Sequence, residues 1–383
     1  MDMDNLEITL GVEEEFFLVD AASRDLLADP APEIFELCKR NAGPHQVVHE
    51  FLRSQIEANT RVCNSVAEVR QALRETRKLV VDAAGQHGAK VIAVSTHPFG
   101  RWQEQMPTEG DRYRHFAVIF QESMRRSVNG GLHVHAGFGD ADDRIRVMTA
   151  LRRYLPLLHA LSTSSPFTEG RMTGFKSYRL NLLGALPRTS VPGALYSWAD
   201  YDKLLEDYRN MDFVRDGSEL WWDIRPSQKY PTIEMRICDV GTRVEETMTL
   251  VALYACLVRW LLRRLLQDRD SLPPEPPTEI IAENRWLAQR YGVFAILGAP
   301  LGKDRRDIGD IAEWLTGELA EDAAALDCEA ELNYVHEIIR NGSSADRQID
   351  LYRLRRLEGD SEEESLVAVV DALIEETCEG LAA

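Results

Sequence analysis

The chain has 383 residues and a formal net charge of −19, with 44% apolar and 28% charged residues. This is the composition of a folded globular protein with a sizeable core, not of a disordered or fibrous chain. The negative field excludes a nucleic-acid partner unless a strong basic patch overcomes it. The nearest candidate, residues 258–269, interleaves Arg259, Arg263 and Arg264 with leucines and reads as an amphipathic helix with a solvated face.

No uncharged apolar window reaches about 18 residues, so no membrane span is expected. The acidic start MDMDNLEITL lacks the basic region of a secretory signal. The 6 cysteines form no C-x-x-C pair, which points to reduced thiols in a cytoplasmic protein.

Residues 6–15 alternate as a half-buried strand. Leu6, Ile8, Leu10 and Val12 lie on one face, and Glu7, Thr9, Glu13 and Glu15 on the other. Glu14 falls on the apolar side, so it must sit at an edge or pair with a buried base. A second strand is expected around 47–59. Residues 65–87 take a helical period that Gly88 ends. A short apolar strand follows over 90–96. Another covers 131–138, after the turn signal Asn129-Gly130-Gly131.

Residues 142–161 and 246–267 read as helices. Between them, 218–240 holds strands, the best over 232–240. The proline-rich stretch 272–277 cannot continue a helix. Beyond it, 278–291, 305–326, 327–340, 346–357 and 362–379 read helical, and the last opens with Ser361 and Glu364 in capping-box spacing. The expectation is a sheet-rich catalytic body over 1–271 and a helical segment over 278–383 packed on it as one structural domain.

The chemistry lies on the polar faces of the strands. Glu13 and Glu15 share one face, roughly 7 Å apart. In GGLHVHAGF, His133 and His135 oppose Leu132, Val134 and Ala136. In PTIEMRICD, Glu234 and Arg236 oppose Ile233, Met235 and Ile237. Gln55, Glu57 and Asn59 share a face against Ile56 and Ala58. Any one pair is also what a solvated strand face carries; the recurrence in separate strands is the signal.

If these strands are neighbours, four carboxylates crowd one surface and repel unless cations sit between them. Carboxylates with occasional imidazole suit Mg2+ or Mn2+. No cysteine cluster or three-histidine set favours zinc. No Walker loop or dinucleotide fingerprint is present. A phosphate site must therefore come from arginines and metals, with Arg171, Arg179, Arg236 and Arg243 as candidates. No nucleophile elbow surrounds Ser162–Ser165.

GVEEEF, QIEANT, GGLHVHAGF, YRLN with GALP, TIEMRICDVG, ENRWLAQRYG and NGSSADRQ occur in that order over nearly the whole chain. Together they resemble the type 2 glutamate–cysteine ligase family, and more closely its carboxylate-amine ligases of the YbdK type.

The resemblance implies an α+β, glutamine-synthetase-like catalytic fold, with a curved antiparallel sheet and flanking helices. It implies an ATP-dependent ligase that forms an amide through an acyl phosphate, with glutamate as the carboxylate and cysteine as a candidate amine. Glu13, Glu15, Glu57, His133 and Glu234 would then hold Mg2+ or Mn2+. His135 would contact substrate, with which of His133 and His135 touches metal left open, and Glu234 and Arg236 would be catalytic; Arg179, Arg171 and Arg243 remain phosphate-binding candidates from the residues alone.

Two other readings stay open from the residues: a metal-dependent hydrolase, and a non-catalytic nucleotide- or amino-acid-binding protein. The segment 342–348 reads either as a loop closing over the site or as a helix–helix turn. Whether the helical C-terminus forms a homodimer surface is left open.

Overall fold

The computed structural model describes residues 6–268, 272, 274–298 and 304–381. The first half of the acidic N-terminal stretch and part of the proline-rich break, with Arg269 before it, lie outside them. The main sheet has strands β1 (Thr9–Asp20), β2 (Gln46–His49), β3 (Gln55–Asn59), β4 (Ala89–Ile92), β5 (Leu132–Gly137), β6 (Ile224–Pro226) and β7 (Thr232–Met235). Their order is β6-β7-β5-β1-β3-β2, with β4 against the second half of β1, and every pairing is antiparallel. β1 is the spine: it pairs with three neighbours and runs five residues beyond the expected strand.

Alternation along β1 puts Leu10, Val12, Glu14 and Phe16 on the buried back of the sheet. Two helices pack beneath: α2 (Val66–Gly85), capped by Ser65 at the backbone N–H of Glu68, and α8 (Val244–Gln267). α8 is apolar on nearly every side, as a core helix must be. This corrects the expected solvated arginine face. Arg259 is buried and donates to the fully buried Asp322, which Arg263 also reaches. A charge cannot be placed in the core without such a partner.

Glu14 has its buried base. The Arg77 guanidinium of α2 grips its carboxylate bidentately, at 2.8 and 2.6 Å. Arg77 also donates to the carbonyls of Gly241 and Thr242, each at 2.7 Å, and the Thr247 hydroxyl donates to Glu14.

Other elements were not foreseen or were differently bounded. Helices α1 (Pro32–Asn41), α3 (Asp111–Arg125) and α7 (Trp198–Asn210) had no predicted counterpart, and α3 is interrupted by Gln121 at φ 45°. The helix expected over 142–161 is α4 (Ala141–Leu151) and α5 (Leu155–Ser162), joined by a 3-10 turn. A five-residue turn of helix, α6 (Arg179–Leu183), lies between α5 and α7.

After the proline-rich break come α9 (Thr278–Tyr291) and α10 (Ile308–Glu318). The expected helix 305–326 opens instead as a short strand, Arg305–Asp307, and breaks at Leu319. Then follow α11 (Ala320–Ala325), α12 (Glu329–Asn333), α13 (Val335–Asn341), α14 (Ser344–Glu358) and α15 (Glu362–Cys378). Ile308, Leu315 and Val335 join the same apolar core as Leu158 and Val251. Among the described residues, no helix is long and apolar enough to cross a membrane.

Removing one partner of a buried pair strands the other charge. Arg77→Met is expected to destabilise the fold by about 3–5 kcal/mol, whereas Glu14→Gln combined with Arg77→Met should lose less than the single change. Urea unfolding of the three proteins measures this, and an Arg77→Met loss below about 1 kcal/mol would refute the pinning role.

Candidate active site

The strand register brings the polar faces together. Glu13 of β1 lies opposite His133 of β5 and Asn59 of β3, and Glu15 lies opposite Glu57. Glu234 of β7 lies opposite His135 on one side and Arg225 of β6 on the other. Directly paired residues share a sheet face. One surface therefore carries Glu13, Glu15, Glu57, Glu234, both histidines and Arg225.

Two groups form within this surface. The ligand atoms of Glu13, His135 and Glu234 lie within 4.8 Å of one another, as do those of Glu15, Glu50 and Glu57. His133 sits between the groups, 3.1 Å from Glu13 and 3.7 Å from Glu15. Glu50, just past β2, was not singled out in the sequence. It lies outside any alternating run, so no periodic signal marked it. Arg225 was missed for a similar reason, since β6 has only three residues.

The charges are unevenly compensated. Burial works against ionised Glu13, but hydrogen bonds from His133 and His135 outweigh it and hold its carboxyl far below the usual range. Glu234 is likewise held well below the usual range, because Arg225 and Arg236 overcome its burial. Arg225 bonds it at 2.7 Å and Arg236 also contacts it directly. In the second group, burial and then the charge of Glu57 push Glu15 up to about 8. Burial, followed by Glu15 and Glu57, raises Glu50 well above its usual value. Glu57 is raised chiefly by burial. Burial and Arg236 lower His133 to about 4. His135 is raised, as Glu13 and Glu234 outweigh its burial.

Burial first, and then mutual repulsion, favours protons on these carboxyl groups, and a divalent cation would displace them. Oxygen donors with one imidazole fit a hard cation.

The surface opens into a cavity of about 430 Å³. Its lining carries the charged groups Glu13, Glu15, Glu50, Glu57, His133, Arg179 and Arg236, together with the apolar and aromatic side chains Phe51, Phe116, Met124, Leu183, Leu186 and Trp221. Arg179, at the start of α6, is buried and donates to the carbonyls of Arg236 and Ile237. Gly131 leaves room for it. A Cβ there would come within 2.4 Å of Arg179 Nη2 and 3.0 Å of His133 Nε2. The Gly131 N–H meanwhile donates to Glu15 at 2.7 Å.

Two arginines expected near phosphate lie elsewhere. Arg171 is solvent-exposed beside Glu169, and Arg243 pairs with Glu376 and Glu379 at the head of α8. Neither lines the cavity. The segment 342–348 does not cover the cavity either. Ser343, Ser344, Asp346 and Gln348 are buried, and Ser343 with Asp346 forms the capping box that opens α14.

The description of glutamate-cysteine ligase family 2 matches residues 9–375. The chain belongs to that family. This family 2 ligase is 40% identical over 381 residues to a Rhodospirillum rubrum protein named "Putative glutamate--cysteine ligase 2", spanning 98% of this chain and 97% of that one. A Jannaschia relative of the same name is 39% identical over 372 residues, 96% of each chain.

Two solved structures share the fold at 14% identity. The Francisella tularensis glutamate–cysteine ligase in complex with AMP has a TM-score of 0.68 and covers 99% of this chain and 91% of that one. A bifunctional glutathione synthetase from Pasteurella multocida has a TM-score of 0.70, covering 100% of this chain and 54% of that one. The family 2 ligase is thus an ATP-dependent carboxylate-amine ligase on the expected glutamine-synthetase-like fold, in a class that uses a divalent metal.

The shifted groups predict a pH dependence. Between pH 6.5 and about 8, Glu15 holds a proton in the folded ligase that the unfolded chain has released, and the upward shifts of Glu50, Glu57 and His135 act in the same sense. Chelator-treated protein should therefore lose stability as pH rises through that window. Below pH 6.5 the depressed histidines His97, His133 and His159 act in the opposite sense. Added Mg2+ should raise the melting temperature more at pH 8 than at 6.5. A chelated protein that melts higher at pH 8 would contradict the assignment.

Proposed function

We propose that the ligase joins the side-chain carboxylate of glutamate to the amine of cysteine, using Mg2+ and ATP. The substrates follow the name carried by its relatives, and Mg2+ follows the oxygen-rich donor set. The observation that carries the reading is the cross-strand register, which gathers Glu13, Glu15, Glu57, Glu234 and the two histidines on one face of the sheet, with Glu13, Glu15, Glu57 and His133 lining the cavity.

A carboxylate is a poor electrophile, and phosphorylation supplies a leaving group. The substrate carboxylate oxygen attacks the γ-phosphorus of ATP and ADP departs. The amine nitrogen then attacks the acyl carbon and inorganic phosphate leaves. Divalent cations held by Glu13, His135 and Glu234, and by Glu15, Glu50 and Glu57, would neutralise the phosphate oxygens.

The chain's own groups do the rest. Arg236 stands over Glu234 and offers the planar fork that suits a phosphoryl group gaining charge. Arg179 is buried, and its Nε has no hydrogen-bond partner among the described residues, as suits a group awaiting an anion. His133 is depressed far enough to stay neutral at pH 7 and can keep Glu13 in place by hydrogen bonding. The apolar lining around Phe116 and Trp221 limits water, which would otherwise hydrolyse the acyl phosphate.

Purified protein with Mg2+ and ATP should release ADP at a substantial rate only when both an amino-acid carboxylate and an amine are supplied. A screen of amino-acid pairs tests the glutamate and cysteine assignments. Glu234→Gln and Arg236→Ala should each lower turnover at least about 10³-fold with the far-UV circular dichroism unchanged. Near-wild-type ligation by either variant would overturn the site. Metal-dependent turnover without ATP would point to a hydrolase, and nucleotide binding without ADP release on any pair to a retired site.

A further inference from the structure

Asp239 is fully buried, in the segment that follows β7. Among the described residues no lysine or arginine forms an ion pair with it. Its carboxylate is instead satisfied by three short hydrogen bonds, from the Ser164 N–H at 2.9 Å, the Ser165 hydroxyl at 2.7 Å and the Ser177 hydroxyl at 2.9 Å. A buried carboxylate with no ion partner is expensive to retain. Where it leads in the structure is therefore informative.

It leads to Arg179. The Ser165 oxygen that donates to Asp239 also accepts the backbone N–H groups of Tyr178 and Arg179, at 3.0 and 3.2 Å. Ser177 is two residues before Arg179. One carboxylate thus ties the end of α5 and the turn that launches α6 to the segment carrying Glu234 and Arg236. The NGSSADRQ segment braces the same pieces from behind. Gln348 donates to the Ser164 carbonyl at 2.9 Å, the Thr163 hydroxyl bonds Ser343 at 2.8 Å, and Lys176 pairs with Asp346.

We infer that Asp239 is a positioning residue for Arg179, acting through the hydroxyls of Ser165 and Ser177. Two guanidinium groups lining one cavity repel each other. The buried negative charge behind Arg179 offsets that repulsion, and the serine relay fixes where its side chain starts. This inference rests on the proposed role of Arg179 in holding phosphate.

The test is a double-mutant cycle on the full chain, read as kcat/KM for ATP in the ADP-release assay, with the melting temperature followed in parallel. Ser165→Ala should lower kcat/KM about 10- to 100-fold, with a fall in melting temperature from the stranded buried groups that is the same in either Arg179 background. In an Arg179→Lys background the same substitution should cost less than about twofold. Ser177→Ala, which removes the other hydroxyl, should show the same dependence on background and serves if Ser165→Ala does not fold. Equal losses in both backgrounds, or no loss in either, would overturn the inference while leaving the role of Arg179 standing. An Arg179→Lys protein with wild-type kcat/KM would overturn both.

Discussion

The active face of this ligase depends on which way β1 points, and the ion pair between Glu14 and Arg77 locks it. Side chains alternate along a strand, so a slip of one residue would turn Glu13 and Glu15 into the core and Glu14 out to the cavity. Leu10, Val12 and Phe16 favour the observed arrangement by their burial, but they carry Glu14 into the core with them. Arg77 makes that tolerable, since its guanidinium, itself sunk in the core, takes up the Glu14 carboxylate. Arg77 also holds the carbonyls of Gly241 and Thr242, so the same contact fixes the chain beyond β7 relative to β1. The strands bearing Glu13 and Glu234 are thereby tied together from behind.

In front, the problem is repulsion. Glu13 and Glu234 have local cationic or hydrogen-bonding partners and stay ionised. Glu15, Glu50 and Glu57 have mostly one another, and burial makes their shared charge costlier. The protein has thus built one half of the site as a finished set of partnered charges and the other as a set of carboxyls shifted towards the protonated form, where a cation would take the place of protons. Arg179 and Arg236, both lining the cavity, supply the positive charge that a triphosphate would otherwise lack.

Much of this was legible in the sequence, because period-two alternation reports a sheet face without reference to the rest of the fold. E-x-E, H-x-H and E-x-R each placed their pair on the correct side, and the register then brought the pairs together. What was not legible depends on distant partners. Glu50 sits in an irregular link and Arg225 on a strand too short to show a period. Arg259 looked like part of a solvated helix face until Asp322, from a later helix, met it in the core. Arg171 and Arg243 looked as eligible as Arg179 in sequence, but the first lies in solvent beside Glu169 and the second pairs with Glu376 and Glu379, both outside the cavity lining. α3 was hidden because its helical stripe is broken at Gln121, which adopts a backbone conformation outside the helix.

The sheet ends on one side in β2, four residues long, and on the other in β6, three residues closed by Pro226. Neither rim presents a long ladder of unpaired main-chain donors and acceptors, and proline removes one donor outright. A neighbouring molecule therefore has little to pair with by adding a strand. Association between copies of the chain would have to rely on side-chain surfaces, which keeps the sheet bearing the carboxylates from becoming a template for aggregation.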